Sequence, residues 1–281
     1  MKTLSSIKKD MEFNRGLSAL IEALKNIAVA QYRTLEQKLK TFEKLLPSVE
    51  SFFEFIDASK VDHAFLHPHD RPQMVVAVTS DSGLLGGLNM QVVHAALNEL
   101  DAIPGKLVVI GEQGKRYVRE TNVSFAAFGG IRDEERYSQA MQLRDYLVKK
   151  VLQGAAGYLK VVYPRPISFT VQRVETASFL PFSPTLKKAH GEAPSDIIAE
   201  SLFEDIVEYL VYMWMGQKLY DIFGLSRLAE FAARFVHLEE SAQKLKEMDG
   251  KIRLQYFRVR HELIDRNMRE LFAARALFGS T

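Results

Sequence analysis

Two long helices wound antiparallel around each other, with an α/β domain inserted between them, form the architecture that the sequence predicts. Three features predict it. All nine prolines of the 281 residues fall between Pro47 and Pro194, and the flanking arms, residues 1–46 and 195–281, hold only five of the sixteen glycines. Proline removes a backbone donor and clashes with the preceding turn, so long proline-free arms are what continuous helices require. The N-terminal arm also repeats its apolar residues every 3.5 positions. The middle instead alternates short apolar runs with glycine turns, the pattern of strand, turn and helix.

The first arm, residues 1–57, carries a measurable period. Leu35, Leu39, Phe42, Leu46, Val49, Phe53 and Ile56 follow one another at intervals of 4, 3, 4, 3, 4 and 3. Extended backwards, the register meets Tyr32, Ala28, Ile21, Met11, Ile7 and Leu4, with Lys25, Ser18 and Asn14 as polar interruptions. Such a repeat keeps one seam toward a partner helix and imposes a left-handed supercoil. Pro47 kinks or restarts the helix, because the register runs on across it. Residues 58–73 read as a solvated linker. They hold the one cluster with metal-ligand chemistry, Asp62, His63, His67, His69 and Asp70. His63 and His67 share a helix face at i, i+4, but Pro68 interrupts that helix, and no metal site is assigned.

Residues 74–194 read as a Rossmann-like α/β domain with some parallel pairing, because Met74–Thr79 and Leu107–Ile110 are apolar runs closed by glycine turns. The richest glycine loop, Thr79–Asn89, follows the first of them directly. Glycines at a helix start can cradle an anion. Neither this loop nor Gly111–Arg116 has the spacing of a nucleotide P-loop, and Thr79, Ser80 and Asp81 do not form a nucleophile elbow. The loop reads as a structural turn in which Gly86 and Gly87 allow close packing. The last arm, residues 195–281, begins near Pro194-Ser195-Asp196, where a side-chain oxygen can cap the first amides. It continues through Ile197, Ile198, Leu202, Phe203, Ile206, Val207, Leu210 and Val211 at helical spacing. Gly216, Gly224 and Gly250 are weak points, each costing about 1 kcal/mol relative to alanine in a helix.

Composition removes several functions. With 37 basic and 35 acidic side chains the net charge is +2, without the basic excess of a protein that coats nucleic acid. There is no cysteine, hence no disulfide, thiol nucleophile or cysteine zinc site. No apolar run approaches the roughly 18 residues that cross a bilayer, and the charged start does not resemble a signal peptide. Arg253, Arg258, Arg260, Arg266 and Arg269 on the last arm are interleaved with Glu262, Asp265 and Glu270, the pattern of a solvated face or a protein contact. No nucleophile, base and oxyanion site come together in the sequence. The chain reads as non-catalytic, with no cofactor.

The glycine loop carries a family resemblance. Thr79-Ser-Asp-Ser-Gly-Leu-Leu-Gly-Gly-Leu-Asn89 resembles the Thr-Ser-Asp-Arg-Gly-Leu-Cys-Gly-Gly-Leu-Asn signature of the γ subunit of F-type, rotary ATP synthases, with Ser82 and Leu85 as departures. Val109–Tyr117 is similar to that family's second strand and turn. Val162-Tyr163, Ser168, Gln172 and Leu180-Pro181 keep its order, and so do Ala229–Phe235 and Tyr256–His261. The N-terminal Asn-Thr-x-x-Ile-Thr-x-Ala-Met motif becomes Gly16–Leu24, without its threonines, and further departures fall at His261, Asp265 and Asn267. The chain is therefore identified as a divergent member.

The resemblance implies a central-stalk rotor that couples ion flow through a membrane ring of c subunits to ATP synthesis or hydrolysis. Its coiled coil would stand inside the ring of α and β subunits, one copy per complex, and its α/β domain would meet the ε subunit and the c-ring. It implies contacts with a β subunit at Leu24, Arg234, Arg260, His261 and Asp265, with Asp265 pairing to His261 along one helix face. Ser80, Asp81, Gly83, Gly86, Gly87 and Asn89 are the signature turn. The implied place is peripheral, on the cytoplasmic face of a bacterial inner membrane, with no nucleic acid, no bilayer insertion and no room for an organelle presequence. The rival readings are a γ-like subunit of a variant or hydrolysis-biased ATPase, and a free-standing coiled-coil scaffold.

Overall fold

A computed structural model describes residues 3–40, 61–68, 71–182 and 202–278. These form two units, residues 1–28 with 235–281, and residues 29–234. The expected seam positions Phe42, Leu46, Val49, Phe53 and Ile56, the kink at Pro47, His69 with Asp70, and the arm start at 194–198 lie outside the described residues.

Helix α1 runs Leu4–Lys40, and α5, defined below, is its antiparallel partner. Ile7, Asn14, Ile21, Ala28 and Leu35 are buried, one residue in every seven. The alternate positions of the predicted register, Leu4, Met11, Lys25 and Tyr32, are half-buried, and Ser18 is exposed. In the first unit Ile21 packs with Leu238 and Leu245, flanked by Leu17, Leu24 and Ala242. The polar interruptions are accommodated there individually. Asn14 donates from Nδ2 to the carbonyl of Leu245 at 3.4 Å. Lys25 reaches Glu239 at 2.5 Å and Glu22 at 3.0 Å. A single buried asparagine in a seam costs stability but fixes register, since only one alignment satisfies its amide.

The second unit is built on a five-stranded sheet. Strand β1 (Gln73–Val78) leads to α2 (Leu88–Ala102), β2 (Gly105–Ile110), α3 (Glu112–Arg119), β3 (Phe125–Phe128), α4 (Arg136–Leu152), β4 (Tyr158–Pro166) and β5 (Gln172–Leu180). The strand order is β3-β2-β1-β4-β5. Strand β1 pairs in parallel with β2 and β4, β2 with β3 likewise, and β5 runs antiparallel along β4. As the central parallel strand, β1 is buried along its whole length. Met74, Val76 and Val78 face Leu143 and Leu147 of α4, together with Val211, Trp214 and Met215 of the last helix. Val75 and Ala77 face the other layer, Val92, Val93 and Ala96 of α2 and Val118 of α3.

That last helix, α5, spans Phe203–Phe278, 76 residues without interruption. The three glycines do not break it. A side chain at Gly216 would meet Met141 and Arg144, one at Gly224 would meet Leu39, and Gly250 has open space. Two of the three supposed weak points are thus places where a neighbour needs the room. In α4, Arg136 lies under Tyr220, its guanidinium 4.4 Å from the ring centroid and its Nη2 donating to the phenol oxygen at 2.7 Å.

The described part of the linker, residues 61–68, differs from the solvated reading. Val61, Phe65 and Leu66 are buried in the core of the second unit. His63 Nδ1 accepts the amide of Phe65 at 3.3 Å, which leaves Nε2 to face Glu208 at 3.3 Å. Apolar residues at 61, 65 and 66 were outweighed in the sequence by the polar residues between them. Among the described residues, no three metal-ligating side chains gather.

Two outcomes follow from this packing. Burial pushes the carboxyl of Asp221 from 3.8 up to about 6, against the opposing effects of Gln217, Lys218 and Arg136. The folded state therefore binds this proton more tightly than the unfolded state. Its contribution to stability is complete below the unfolded value and falls as pH rises through about 6. Asp221→Asn should flatten that slope and raise stability at pH 8, read by urea unfolding across the range. In the seam, Ile21→Ala should cost about 2–4 kcal/mol, whereas Glu12→Ala on the exposed face should lie within about 0.5 kcal/mol of the parent.

Candidate functional site

The signature turn sits where β1, β2 and β3 end. Its first three residues occupy the start of α3. Asp81 Oδ1 accepts the amide of Glu112 at 2.9 Å, the carbonyl of Ser80 accepts that of Gln113 at 3.0 Å, and Thr79 Oγ1 accepts that of Gly114 at 3.0 Å. The first three free amides of this helix, the place where a phosphate binds in many α/β folds, are taken by the chain itself. Asn89 closes the turn, accepting the amide of Ser80 at 3.1 Å and donating to its hydroxyl at 2.9 Å.

Close approach at this corner is made by glycines outside the signature. A Cβ on Gly111 would stand 2.5 Å from the carbonyl oxygen of Thr79, and its φ is +94°. A side chain on Gly130 would run into the carboxyl of Asp81, and one on Gly114 into Thr79. Within the signature, Gly86 has a φ of 60°, a conformation that glycine adopts without steric cost. Gly87 meets only Gln91 at 3.9 Å, and Gly83 meets nothing within 4 Å. The expectation of close packing is therefore corrected at Gly87, which has room for a side chain. Leu84, between them and Gly83, is exposed and also has a positive φ of 64°.

The turn is then fastened to α5. Ser82 Oγ donates to Glu230 Oε1 at 3.0 Å. Arg234 Nη2 donates to the same carboxylate oxygen at 2.6 Å and to Ser82 Oγ at 2.6 Å. Arg227 Nη1 binds the other oxygen, Oε2, and its Nε and Nη2 reach both oxygens of Asp133, at 3.0 and 3.3 Å. Glu230 is 4% exposed. Burial pulls the Arg227 guanidinium down, but Asp133 and Glu230 outweigh it and hold it above its ordinary value. Two carboxylates and two guanidiniums balance, the condition under which buried charge is tolerated.

The residues expected to face a β subunit fall into different settings. Leu24 is half-buried against Ile21, Leu238 and Leu245. The Arg234 side chain is 14% exposed and committed to Ser82 and Glu230. Arg260, His261 and Asp265 are exposed on α5. No hydrogen bond or ion pair joins His261 to Asp265 among the described residues, and the Asp265 carbonyl accepts from Arg269 at 3.2 Å. The sequence analysis singled out Arg234 only as an implied β contact and Ser82 only as a departure from the signature, and it missed Glu230, Arg227 and Asp133. A cue was available, an arginine three residues before the glutamate and another four after it on a helix face otherwise apolar.

Beyond its pairing with α1, α5 is bare. The register that sets Asn14 beside the Leu245 carbonyl brings α1 to its start near residue ~255, leaving about 23 residues, or about 34 Å, without a described helix opposite. Leu254, Phe257, Leu263, Ile264, Met268, Leu271 and Phe272 are exposed along this stretch.

A family model described as ATP synthase matches residues 3–277. The chain is 23% identical to the ATP synthase gamma chain of Flavobacterium johnsoniae over 99% of its own length and 100% of the relative's. It is 24% identical to that of Chlorobaculum tepidum over 97% and 98%, and 26% identical to that of Desulforudis audaxviator over 72% of each. Among solved structures, a chain of the Euglena gracilis mitochondrial ATP synthase, in an assembly of OSCP, F1 and c-ring, superposes with a TM-score of 0.73. The match covers 98% of this chain and 94% of that one, at 16% identity. A chain of the rotor from the same organism gives 0.68, covering 93% and 98% at 17% identity.

The corner at the strand ends makes a direct forecast. Gly111→Ala combines a left-handed backbone with a clash against backbone and should cost more than ~2 kcal/mol. Gly83→Ala, inside the signature but in open space, should shift the unfolding midpoint little.

Proposed function

The chain belongs to the ATP synthase family, as a divergent γ subunit of the central stalk and a non-catalytic part of the complex, and from that membership we propose how it works. The paired helices of residues 1–28 and 235–281 stand inside a ring of α and β subunits. The α/β unit meets the ε subunit and the c-ring. Rotation presents different faces of the shaft to each β subunit, and so shifts each nucleotide site between conformations by differential contact. One observation carries this reading: the bare end of α5, whose large apolar side chains have no partner helix opposite them among the described residues. An exposed apolar surface of that extent is a protein-contact surface.

Among the residues implied as β contacts, Arg260, His261 and Asp265 lie on that exposed end and are the ones we assign to the ring. Arginine suits an acidic loop, because its planar fork binds carboxylate through paired hydrogen bonds. No described helix is long and apolar enough to cross a membrane, so attachment runs through partners. The bacterial relatives support a bacterial origin, and we assign the chain to the cytoplasmic face of the inner membrane.

The test is reconstitution with α and β subunits. The chain should co-purify with them, and Arg260→Ala should lower coupled ATP turnover about tenfold. Arg253→Ala, whose guanidinium is already paired with Asp249 at 2.7 Å, should not. Asp265→Thr, the residue of the family motif, should be tolerated. Normal coupling in an intact Arg260→Ala complex would place the contact elsewhere on the shaft.

A further inference from the structure

We propose that Ser82, Asp133, Arg227, Glu230 and Arg234 form an azimuthal clamp that stops α5 turning about its own axis against the α/β sheet, with Glu230 as its positioning residue. The inference rests on the rotor reading above and removes Arg234 from the ring contact that the family resemblance implies for it.

The clamp has three bodies. Arg227, Glu230 and Arg234 lie at i, i+3 and i+7, one stripe of α5. Ser82 belongs to the turn after β1, and Asp133 to the loop between β3 and α4. The Glu230 carboxylate binds Ser82 and Arg234 through one oxygen and Arg227 through the other. Arg227 passes the connection to Asp133 by a two-point fork, and its guanidinium also lies 4.6 Å from the centroid of the Phe231 ring. Glu230 and Arg227 each bind at least two other members, and Asp133 holds Arg227 through both of its oxygens.

Apolar packing of α5 on the sheet layer resists separation, but it is non-directional and constrains rotation about the helix axis only weakly. Forked guanidinium–carboxylate bonds have fixed geometry and resist that rotation directly. A shaft that carries torque needs this second kind of contact. It is placed where the strand ends meet the helix, and its two anchor loops come from opposite ends of the β1–β3 segment. Ser82 stands where the family signature has arginine. A third guanidinium there would compete for Glu230, whereas the serine hydroxyl accepts from Arg234 and donates to Glu230. The departure at Ser82 and the inward setting of Arg234 thus belong to one arrangement.

Two measurements test it. In the isolated chain, hydrogen exchange should report the clamp with no partner present. Arg234→Ala should speed exchange of the amides of residues 80–87 by about tenfold, while Arg260→Ala should leave them unchanged. Unchanged exchange in Arg234→Ala would overturn the assignment of Arg234 to the clamp. In the assembled, membrane-bound complex the readout is ions pumped per ATP hydrolysed. Glu230→Gln and Asp133→Asn should lower that ratio about twofold or more, with hydrolysis itself retained.

Because single substitutions leave unpaired charge, the double variant Glu230→Leu/Arg234→Met is decisive. It removes a balanced pair, a change that folded proteins commonly tolerate. Normal thermal stability with a lowered pumping ratio supports the clamp, and normal stability with a normal ratio overturns it. Lowered stability with the parental ratio, measured at a temperature where the variant stays folded, also overturns it. A parent chain that fails to enter the complex would overturn the rotor reading, whatever the exchange experiment shows.

Discussion

The structure depends on the fact that an α-helix satisfies its own backbone. Each interior amide and carbonyl is paired within α5, so the helix can continue while its surroundings change completely. Along 76 residues only the side chains have to adapt. Between Val207 and Phe231 it contributes a row of buried residues to the core of the second unit. At Leu238 and Leu245 it offers one buried residue per seven to α1. Beyond about residue 255 its apolar side chains are exposed, with no described element opposite them. A sheet or an irregular segment could not make these transitions, because its backbone groups would need new partners at each one.

What the sequence displayed was what repeats or what is local. The 3.5-residue period of the first arm found the row Ile7, Asn14, Ile21, Ala28 and Leu35, because a periodic burial leaves a periodic trace. The apolar runs at 74–79 and 107–110 found two parallel strands for the same reason. The period did not show that Lys25 and Tyr32 would sit at the edge of the seam, since that depends on the width of the partner at each level. The histidines near residue 63 misled in the opposite direction. Four apolar residues in eight, without a period, are too few to form a pattern, yet burying three of them is enough to dock a single turn in the core.

The candidate site was half legible, and the division has a physical basis. The glycine signature stood out because it is contiguous. The residues that explain it are far away: Gly111, Gly114 and Gly130 make room for Thr79 and Asp81, while Arg227, Glu230 and Arg234 hold Ser82 from another helix. Ser82 and Arg234 are 152 positions apart, and no spacing rule links them. Glycine content alone also misplaced the tight contacts, because a glycine can serve for its φ, as at Gly86, or for the absence of a side chain, as at Gly130. Only the fold separates these two uses.

The same corner explains how a fold widely used to bind nucleotides serves as a mechanical part. In an open parallel sheet the ligand crevice lies beyond the strand ends, and the helix start beside it is the natural seat of a phosphate. Here the carboxylate of Asp81, the carbonyl of Ser80 and the hydroxyl of Thr79 take the amides of Glu112, Gln113 and Gly114. An anion arriving at that helix would have to displace a carboxylate already in place. The loop that would have wrapped a ligand turns toward α5 and is tied there through Ser82. Groups that could have moved with substrate are thereby bound to the longest helix of the chain. Rigidity at the strand ends, a disadvantage in a site that must open and close, is what a shaft requires.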